Sequence, residues 1–384
     1  MNRGWQTKKL GDVCLIDKRQ GVYKGLPYVG LENIESHTAR FIGSAEPLGV
    51  KSSTFKFSPD HLLYGRLRPY LNKVMLPDFT GHCSTEIFPL KPRPGLSREF
   101  LQYWFLREAT VEQIDATCTG ARMPRANMNA VLDFNFPLPP LPEQYRIVTI
   151  LDEAFEGIAI AKANAEKNLQ NARALFESHL QSVFTQRGKG WVEKRLEEIG
   201  KTQTGSTPKT SDQTNYGDFI SFVKPADFNA DGSLDYEKEG LSKKGLAYAR
   251  VVPAGSVLMV CIGATIGKCG YCDQDVTTNQ QINALAPSGG SSNRFLYYQM
   301  LTESFQRGVI HRSGQATLPI INKSKWSALP VWIPPTLAEQ KRIAAKFDAL
   351  VEETQRLAAH YRRKLVALKA LKKSLLHQAF TGEL

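Results

Sequence analysis

The chain has 384 residues, of which 42% are hydrophobic and 22% are charged, and its formal net charge is +12. This balance is ordinary for a globular protein, and the length is enough for two or three domains. The excess of positive charge favours a polyanionic partner, with nucleic acid ahead of a membrane surface, while a merely basic soluble protein stays open as the alternative.

The sequence contains no apolar run near the roughly 18 residues that cross a bilayer, and its first residues, MNRGWQTKKLGD, lack the apolar core of a signal peptide. We therefore expect a cytoplasmic protein with no membrane partner, whose six cysteines are free thiols. Cys269 and Cys272 form a CxxC pair, but a zinc site would need a second pair, and Cys261 is the only nearby candidate. We predict no metal site, interpret these thiols as strand packing, and assign the CxxC pair no further role.

The sequence contains an internal repeat, in which two similar copies together cover nearly the whole chain. The opening GWQTKKLGDV returns as GWVEKRLEEI, and residues 61–92 align without a gap on residues 256–287. The passage PLPPLPEQYRI around Gln144 returns as IPPTLAEQKRI around Gln340, and the second copy carries a short insertion before Ser256. A repeat of this length is a whole domain and not a solenoid unit, and two such copies are expected to pack about a pseudo-two-fold axis.

Each copy begins with a globular head. Segments such as FISFVKPADF, SVLMVCIGATIG and QINALAP are rich in β-branched and aromatic residues between turn formers, which predicts short strands. Apolar residues at helical spacing predict a short helix near residues 98–116 and its repeat near 293–309. The sequence therefore predicts a mixed α/β (α+β) fold, with the first head at residues 1–142 and the second at 187–337.

Each head is followed by a long helix, predicted at residues 143–186 and 338–384. Proline clusters mark both starts, and apolar residues then recur in alternating steps of four and three, the heptad pattern of a coiled coil. Because the helices belong to two repeated copies, we expect them to pack on each other in antiparallel directions. The alternative is that each helix packs only on its own head. The predicted seam comprises Ile147, Leu151, Ile158, Asn168 and Leu175 in the first helix, and Ile343, Phe347, Leu350, Leu357, Lys364 and Leu371 in the second.

Asn168 and Lys364 occupy equivalent positions of this seam, where a polar residue commonly fixes the register of a coiled coil. About 42 helical residues, at a rise of 1.5 Å each, make a rod of roughly 63 Å. We therefore expect the two helices to act as a spacer between the heads.

The sequence lacks the motifs of a catalytic site. The loop from Gly263 to Cys269 resembles a phosphate-binding loop, but it has three residues between its glycines instead of four, and Cys269 stands where Ser or Thr would bind Mg²⁺. Asp78 and Glu86 hint at a metal-dependent nuclease, but no lysine follows Glu86 at the required spacing. HExxH and GxSxG sequences are also missing. Together these observations favour a binding protein over an enzyme.

Basic and amide-rich segments carry the candidate DNA contacts. YGRLRPYLNK combines arginines that can reach guanine, an asparagine that can reach adenine and a lysine that can hold a phosphate, with a solvated basic turn as the alternative. The second copy keeps the frame of this segment but changes the side chains, with Cys261 for Arg66, Gly263 for Arg68 and Thr265 for Tyr70. The candidates are Arg66, Arg68, Tyr70, Asn72, Lys73, Arg122 and Arg125 in the first copy, and Thr207, Lys209, Lys268, Thr278, Asn279, Gln280, Arg312 and Gln315 in the second.

These stretches resemble the specificity subunit of type I restriction-modification enzymes. The resemblance rests on LYGRLRPYLNK and CSTE, on TGSTP, IGATIGK and TNQQINAL, on the two proline-led hinges and on LLHQAFTGEL, and it spans nearly all of the chain. It implies a non-catalytic subunit with two target recognition domains, each of which reads one half of an asymmetric, bipartite site on double-stranded DNA. It also implies that the helices space these domains and dock two methylation subunits that use S-adenosylmethionine. Two nuclease subunits that use ATP and Mg²⁺ can join in this family.

Two other classes of protein stay open. One is a specificity chain of another methyltransferase architecture or a stand-alone DNA-binding regulator. The other is a structural coiled-coil protein that is basic for unrelated reasons. Sequence-specific, salt-dependent binding to duplex DNA that strengthens with a methylation subunit would separate the first interpretation from both.

Overall fold

The two copies fold into closely similar orders of strands and helices in a computed structural model, which describes residues 4–120, 122–314 and 318–384. Contacts divide the chain into two units, one made of residues up to Glu166 together with Arg362–Leu384, and the other of Lys167–Tyr361. Each unit therefore contains one head and parts of both long helices. The predicted boundaries at 142, 186 and 337 concern a different division of the chain and stay predictions.

The elements of the first copy, in chain order, are β1 (Gln6–Lys9), α1 (Leu10–Val13), β2 (Cys14–Ile16), β3 (Gln20–Gly21), β4 (Tyr28–Val29), β5 (Thr54–Phe57), β6 (Leu62–Gly65), β7 (Val74–Met75), β8 (Gly81–Cys83), β9 (Ile87–Pro92), α2 (Arg98–Leu106), α3 (Glu108–Asp115), α4 (Met128–Leu132), β10 (Asn135–Leu138) and α5 (Leu141–Gln186).

Those of the second copy are β11 (Val192–Arg195), α6 (Leu196–Ile199), β12 (Gly200–Thr204), β13 (Tyr216–Val223), β14 (Gly240–Leu241), α7 (Lys243–Leu246), β15 (Val251–Val252), β16 (Val257–Val260), β17 (Cys269–Tyr271), β18 (Val276–Thr278), β19 (Ile282–Pro287), α8 (Asn293–Met300), α9 (Glu303–Ser313), α10 (Lys323–Ser327), β20 (Pro330–Ile333) and α11 (Leu337–Thr381).

The same sheets recur in both heads. In the first head the strand orders are β2-β9-β6-β7 and β3-β5-β8-β4, and β1 pairs with β10. In the second head they are β12-β19-β16-β17 and β14-β13-β18-β15, and β11 pairs with β20. A parallel pair stands at equivalent places, β4 with β8 and β13 with β18. The heads differ at one outer strand, because β14 pairs with β13 whereas β3 pairs with β5.

Aromatic side chains on the short helices fill the space between helices and sheets. Phe100 and Trp104 of α2 and Phe136 of β10 are at most 1% exposed, and the ring centroids of Trp104 and Phe136 are 5.4 Å apart. In the second head Phe295 of α8 and Trp326 of α10 are fully enclosed. Since each aromatic ring removes a large apolar area from water, these residues dominate the two cores.

Gln144 fastens the start of α5 to the first head. Its side chain is fully buried. Its Oε1 accepts a hydrogen bond from the backbone N–H of Ser97 at 2.8 Å, and its Nε2 donates to the carbonyls of Gly95 and Pro139, also at 2.8 Å. The amide therefore satisfies three backbone groups that would otherwise be buried without partners.

Gln340 has the same position at the start of α11. Its Oε1 accepts from the backbone N–H of Ser292 at 2.9 Å, and its Nε2 donates to the carbonyl of Gly290 at 3.2 Å. In both copies, the glutamine of the Glu-Gln motif thus joins the head to the start of its long helix.

Within each unit, α5 and α11 run antiparallel, because the start of one helix packs beside the end of the other. In the first unit, Lys372 of α11 lies 4.7 Å from the ring centroid of Phe155 of α5. In the second unit, Phe184 of α5 stacks on Phe347 of α11, with centroids 5.9 Å apart and an interplanar angle of 8°.

The end of each long helix also packs on the head of the other copy. Phe380, near the end of α11, lies 4.7 Å from Phe100 of the first head, measured between ring centroids. Phe184, near the end of α5, lies 5.3 Å from Phe295 of the second head. Each head is therefore held by the start of one long helix and the end of the other.

The predicted fold class is confirmed as mixed α/β with an internal repeat and two long helices, and the helix bounds need small corrections. The helix α5 has 46 residues and begins two residues before the predicted position 143. The helix α11 has 45 residues and ends at Thr381, before the predicted position 384.

Eight of the predicted seam residues are buried or half-buried, and three are exposed. Ile147, Leu151, Ile343 and Phe347 are buried, and Ile158, Asn168, Leu350 and Leu357 are half-buried. The predictions for Leu175, Lys364 and Leu371 are wrong, since all three side chains are exposed.

The neighbours Phe176, Leu365 and Lys372 take the inward positions in their place. A straight α-helix drifts by about 20° per heptad relative to a 3.5-residue repeat, so its buried face moves by one residue where two steps of four follow each other. Of the two polar residues predicted at equivalent seam positions, Asn168 is half-buried and Lys364 is exposed, so Lys364 is not a seam residue.

Candidate nucleic-acid interface

In the first unit, residues 65–73 form a loop that is joined by backbone hydrogen bonds to residues 119–120 and 122–126, and we call them the first loop pair. The N–H of Arg68 donates to the carbonyl of Pro124 at 2.7 Å, and the N–H of Ala126 donates to the carbonyl of Arg66 at 2.9 Å. These bonds fix the two loops relative to each other.

The second unit has the same frame in residues 260–268 and 318–321, which we call the second loop pair. The N–H of Gly263 donates to the carbonyl of Pro319 at 3.0 Å, and the N–H of Ile321 donates to the carbonyl of Cys261 at 2.9 Å. Each of these residues stands 195 positions after its counterpart in the first loop pair. The repeat is thus preserved down to single hydrogen bonds.

Both loop pairs turn at residues with positive φ. In the second pair these are Gly263 and Gly267, at 101° and 88°, and in the first pair they are Arg68 and Asn72, at 51° and 42°. A residue with a Cβ costs about 1–2 kcal/mol in this region. The second copy shows that glycine satisfies the turn, so the fold itself does not require an arginine at position 68.

Cations and a tyrosine lie on the outer side of the first loop pair. Arg68, Tyr70 and Arg122 are exposed, and Tyr70 retains 47% of its accessible surface. Arg66 and Arg125 are partly exposed, at 32% and 39% of their side chains. Five of the seven predicted residues of the first copy are therefore at least partly exposed on the first loop pair.

Glu86 supports this surface from below, a role that the sequence analysis missed. Its Oε2 accepts from Nε of Arg66 at 3.0 Å, and its Oε1 accepts from Nε of Arg125 at 2.9 Å. The guanidinium of Arg66 also lies 5.0 Å from the ring centroid of Phe88. The signal was available, because a lone carboxylate in CSTE follows a segment rich in arginine.

In the second unit, the TGSTP and TTNQQ segments come together. A Cβ on Gly205 would stand 2.2 Å from the carbonyl oxygen of Asn279, so only glycine fits there. The N–H of Ser206 donates to the carbonyl of Thr278 at 2.9 Å. The hydroxyl of Thr207 donates to the side-chain carbonyl of Gln280, which is exposed. Hydroxyl and amide groups thus stand on this surface of the second unit.

Lys73 and Lys268, both predicted to contact DNA, serve instead as equivalent internal braces. The Nζ of Lys73 donates to the carbonyl of Ile34, and the Nζ of Lys268 donates to the carbonyl of Phe228, both at 2.7 Å. Each lysine ties its loop to a distant segment of its own head. The prediction that they hold phosphates is not supported by this placement.

Asn72, Thr278 and Asn279 are also buried, at 1%, 0% and 8% exposure. The Nδ2 of Asn72 donates to the carbonyl of Phe105 at 3.0 Å, and that of Asn279 donates to Oε1 of Gln281 at 2.9 Å. These amides organise the loops from inside, so we remove the three residues from the set that can touch a duplex.

The remaining predicted residues are divided. Lys209 is exposed. Arg312 lies in the last turn of α9, and its Nη1 donates to the carbonyls of Ala328 and Lys325 at 2.9 and 3.3 Å, which gives it a structural role. Gln315 lies outside the described residues.

Two exposed residues beside the TGSTP segment were missed. The Nη1 of Arg250 donates to the carbonyl of Thr204 at 2.7 Å. The carbonyl of Tyr248 accepts from the hydroxyl of Ser206 at 3.1 Å, and Tyr248 is 62% exposed. Both lie just before β15, which pairs with β18 in the register that joins β5 to β8 in the first copy.

The thiols pack inside the second head. Cys261, Cys269 and Cys272 are buried and free, and burial raises the pKa of Cys272 to about 11 and that of Cys261 to about 12. Among the described residues, no group of three or more His, Cys, Asp and Glu side chains could hold a metal ion. Within the same ranges, no helix combines the length and the apolar character needed to span a membrane.

The fold and the loop pairs define a class of chain with two repeated α/β heads, which present cations, hydroxyls and amides of the kind that contact nucleic acid. The chain belongs to the type I restriction modification DNA specificity domain family, whose profile matches residues 2–171 and 188–365. The two matches follow the two copies of the repeat.

Similar proteins carry the same description. The chain is 29% identical over 171 residues to the type I restriction enzyme EcoDI specificity subunit of Escherichia coli, which covers 44% of this chain and 37% of that protein. It is 31% identical over 167 residues to the HindI specificity subunit of Haemophilus influenzae, which covers 42% of this chain and 36% of that protein. The matches thus span little more than a third of the length of these relatives.

Two solved structures share the fold over the full length. A chain from a study of complex assembly and conformational transition of the type I R-M system has a TM-score of 0.81 at 24% identity, with 100% of this chain and 99% of that chain covered. The HsdS subunit from Thermoanaerobacter tengcongensis has a TM-score of 0.70 at 23% identity, with 100% and 98% covered.

Proposed function

We propose that this chain is the DNA-recognition subunit of a type I restriction-modification system, and that its two heads bind different halves of an asymmetric, bipartite site on duplex DNA. One observation carries the proposal. The two units share the same hydrogen-bonded frame, yet they present different side chains on it. Two domains that bind different DNA sequences are expected to share a backbone framework and to differ in their exposed side chains.

The unfavourable backbone conformation of Arg68 indicates that this residue serves binding and not stability. Arg68 is exposed and has a φ of 51°, whereas its counterpart Gly263 adopts the same turn without that cost. Arginine binds guanine through O6 and N7 in the major groove, and this is the commonest base-specific contact. The second head, with Thr207 and Gln280 on its surface, offers hydroxyl and amide chemistry to a different set of bases.

The proposal extends to the complex around the chain. The long helices set the distance between the heads and dock two methylation subunits, and two nuclease subunits can join. S-adenosylmethionine, ATP and Mg²⁺ bind to those partners, and the chain acts in the cytoplasm without a membrane partner. Family membership and the two long helices support this part.

The absence of catalysis by this chain is directly testable. The purified full-length chain is expected neither to cut duplex DNA nor to transfer a methyl group when S-adenosylmethionine is supplied. Turnover that follows the chain through successive purification steps would overturn this part of the proposal.

The variant Arg68→Gly tests the recognition role, since it installs the residue of the second copy. The probe is a duplex selected from a randomised library by the full-length wild-type chain, compared with the same duplex after one half-site is scrambled. The variant is expected to fold at least as stably as the wild type, because strain is removed, and to lose about 1–3 kcal/mol of preference for the half-site bound by the first head.

The variant Lys51→Ala is the matched control, because it removes one exposed positive charge from the first head outside the loop pair. It should leave the preference unchanged. Failure of the wild type to select any sequence would refute the proposed function. Selection of a strictly palindromic site would refute the assignment of different half-sites to the two heads.

A further inference from the structure

Glu86 joins the two loops of the first loop pair through their arginines. Arg66 belongs to one loop and Arg125 to the other, and each donates its Nε to a different oxygen of the same carboxylate, at 3.0 and 2.9 Å. The Glu86 side chain is only 21% exposed, so it lies beneath the arginines. The Nη1 of Arg125 also donates to the carbonyl of Met123 at 3.4 Å, and both arginine side chains remain partly exposed.

We propose that Glu86 is a specificity-determining residue of the first head, which positions Arg66 and Arg125 as one rigid pair against a guanine-containing half-site. The inference rests on the proposed function and names the group that aligns its base contacts. A free arginine has many rotamers, and fixing its planar fork before binding lowers the ordering cost of each bidentate contact.

The carboxylate also limits the attraction of the surface for any DNA. Non-specific binding grows with the number of phosphates that cations neutralise, and its dependence on salt grows in proportion. One negative charge between two guanidinium groups lowers the net charge available to phosphates, while it leaves Nη donors for base edges. Glu86 thereby favours selectivity over affinity, a common division of roles in specific interfaces.

The second head has the same fold without this arrangement of one carboxylate and two arginines, so the fold does not require it. Gln281 stands at the position equivalent to Glu86, and its Oε1 accepts from Nδ2 of Asn279 at 2.9 Å. Cys261 and Ile320 stand where Arg66 and Arg125 stand in the first head. A neutral amide supports the loops where no arginines need alignment.

The variant Glu86→Gln tests the inference, because it keeps the shape, removes the charge and installs the residue of the second copy. Binding of the full-length chain to the selected duplex and to the duplex with its first half-site scrambled is measured over a range of salt concentrations. We expect the ratio of the two affinities to fall about tenfold, with weaker discrimination but equal or stronger binding to the scrambled duplex and a steeper salt dependence.

The variant Asp78→Asn is the control, since it makes the same change of net charge at an exposed carboxylate of the first head that lies outside the loop pair. It should leave the ratio unchanged. Scrambling the second half-site should affect the wild type and Glu86→Gln equally. Thermal unfolding of each variant shows whether the chain still folds, and Glu86→Asp, which keeps the charge on a shorter stem, should lose less discrimination than Glu86→Gln.

A combined variant separates positioning from direct contact. In a chain that carries Arg66→Ala and Arg125→Ala, the further change of Glu86→Gln should leave the ratio for the first half-site unaltered, because Glu86 acts through the arginines. An undiminished effect in that background would mean that Glu86 itself contacts a base, and would overturn the inference. Full discrimination by Glu86→Gln alone would also overturn it while leaving the proposed function intact. A wild type that does not discriminate would refute the proposed function as well.

Discussion

Replacement of Gln144 by leucine removes the joint between α5 and the first head without changing its volume greatly. The side chain is fully buried, and its amide makes three hydrogen bonds of 2.8 Å to backbone groups of Ser97, Gly95 and Pro139. Leucine leaves these three groups without partners. At about 1 kcal/mol for each lost hydrogen bond, we expect the free energy of unfolding to fall by about 2–4 kcal/mol.

The assay is urea unfolding followed by tryptophan fluorescence, with α-helix content as a second probe. Glu143→Leu is the matched control, because Glu143 is the neighbouring residue of the same motif and forms a partly exposed ion pair with Arg146. Its loss should cost less than about 0.5 kcal/mol. Equal effects of the two substitutions, or an effect of Gln144→Leu below 0.5 kcal/mol, would refute the view that the buried amide forms the joint.

Three further predictions concern the spacer, a glycine and a carboxylate. A heptad inserted into both long helices at matching levels adds about 10.5 Å of helix and should lengthen the preferred DNA spacer by roughly three base pairs; methylated sites with an unchanged spacer, mapped across the genome, would show that the helices do not set it. Gly205→Ala should destabilise the second unit by about 1–3 kcal/mol in urea unfolding, because the new Cβ meets the backbone of Asn279, whereas Gly289→Ala, which meets nothing within 4 Å, should be neutral. Hydrogen bonds from Lys91 and Ser58 hold the pKa of Asp60 below its ordinary value. The stability that Asp60 contributes is therefore present above the unfolded pKa of about 3.9 and lost as the pH falls towards the native pKa. Asp60→Asn should flatten this loss, and parallel curves of stability against pH for the two proteins would contradict it.

The repeat was the most informative feature of the sequence, because it predicted both heads and both long helices. The repeat also indicates which residues serve the fold and not DNA binding, and the prediction of DNA-contacting residues did not use this information. Lys73 and Lys268 are the same residue in both copies, and both donate to a backbone carbonyl of their own head. A residue kept in both copies serves the shared frame, whereas Arg68 and Gly263, which differ, are free to serve the proposed recognition of different half-sites.

Other features depend on distances that a sequence does not contain. The Glu86 carboxylate joins Arg66 and Arg125, which are 59 residues apart in the chain. Although CSTE follows the arginine-rich segment, no local pattern indicates that Arg125 binds the same carboxylate as Arg66. The prediction that Leu175 lies in the seam was wrong for a different reason. A strict alternation of steps accumulates an angular error on a straight helix, so a local pattern becomes less reliable with every turn.

The first unit is assembled from two stretches of chain that are separated by the whole of the second unit. On a ribosome that adds about 5–20 residues per second, residues 362–384 follow Glu166 by about 10–40 s. During that interval the second unit can fold from one continuous segment. The surface of the first head around Phe100 stays uncovered until Phe380 has been synthesised and packs on it. The first-made head is therefore the last to be completed, and its uncovered apolar surface is where a chaperone would bind the nascent chain.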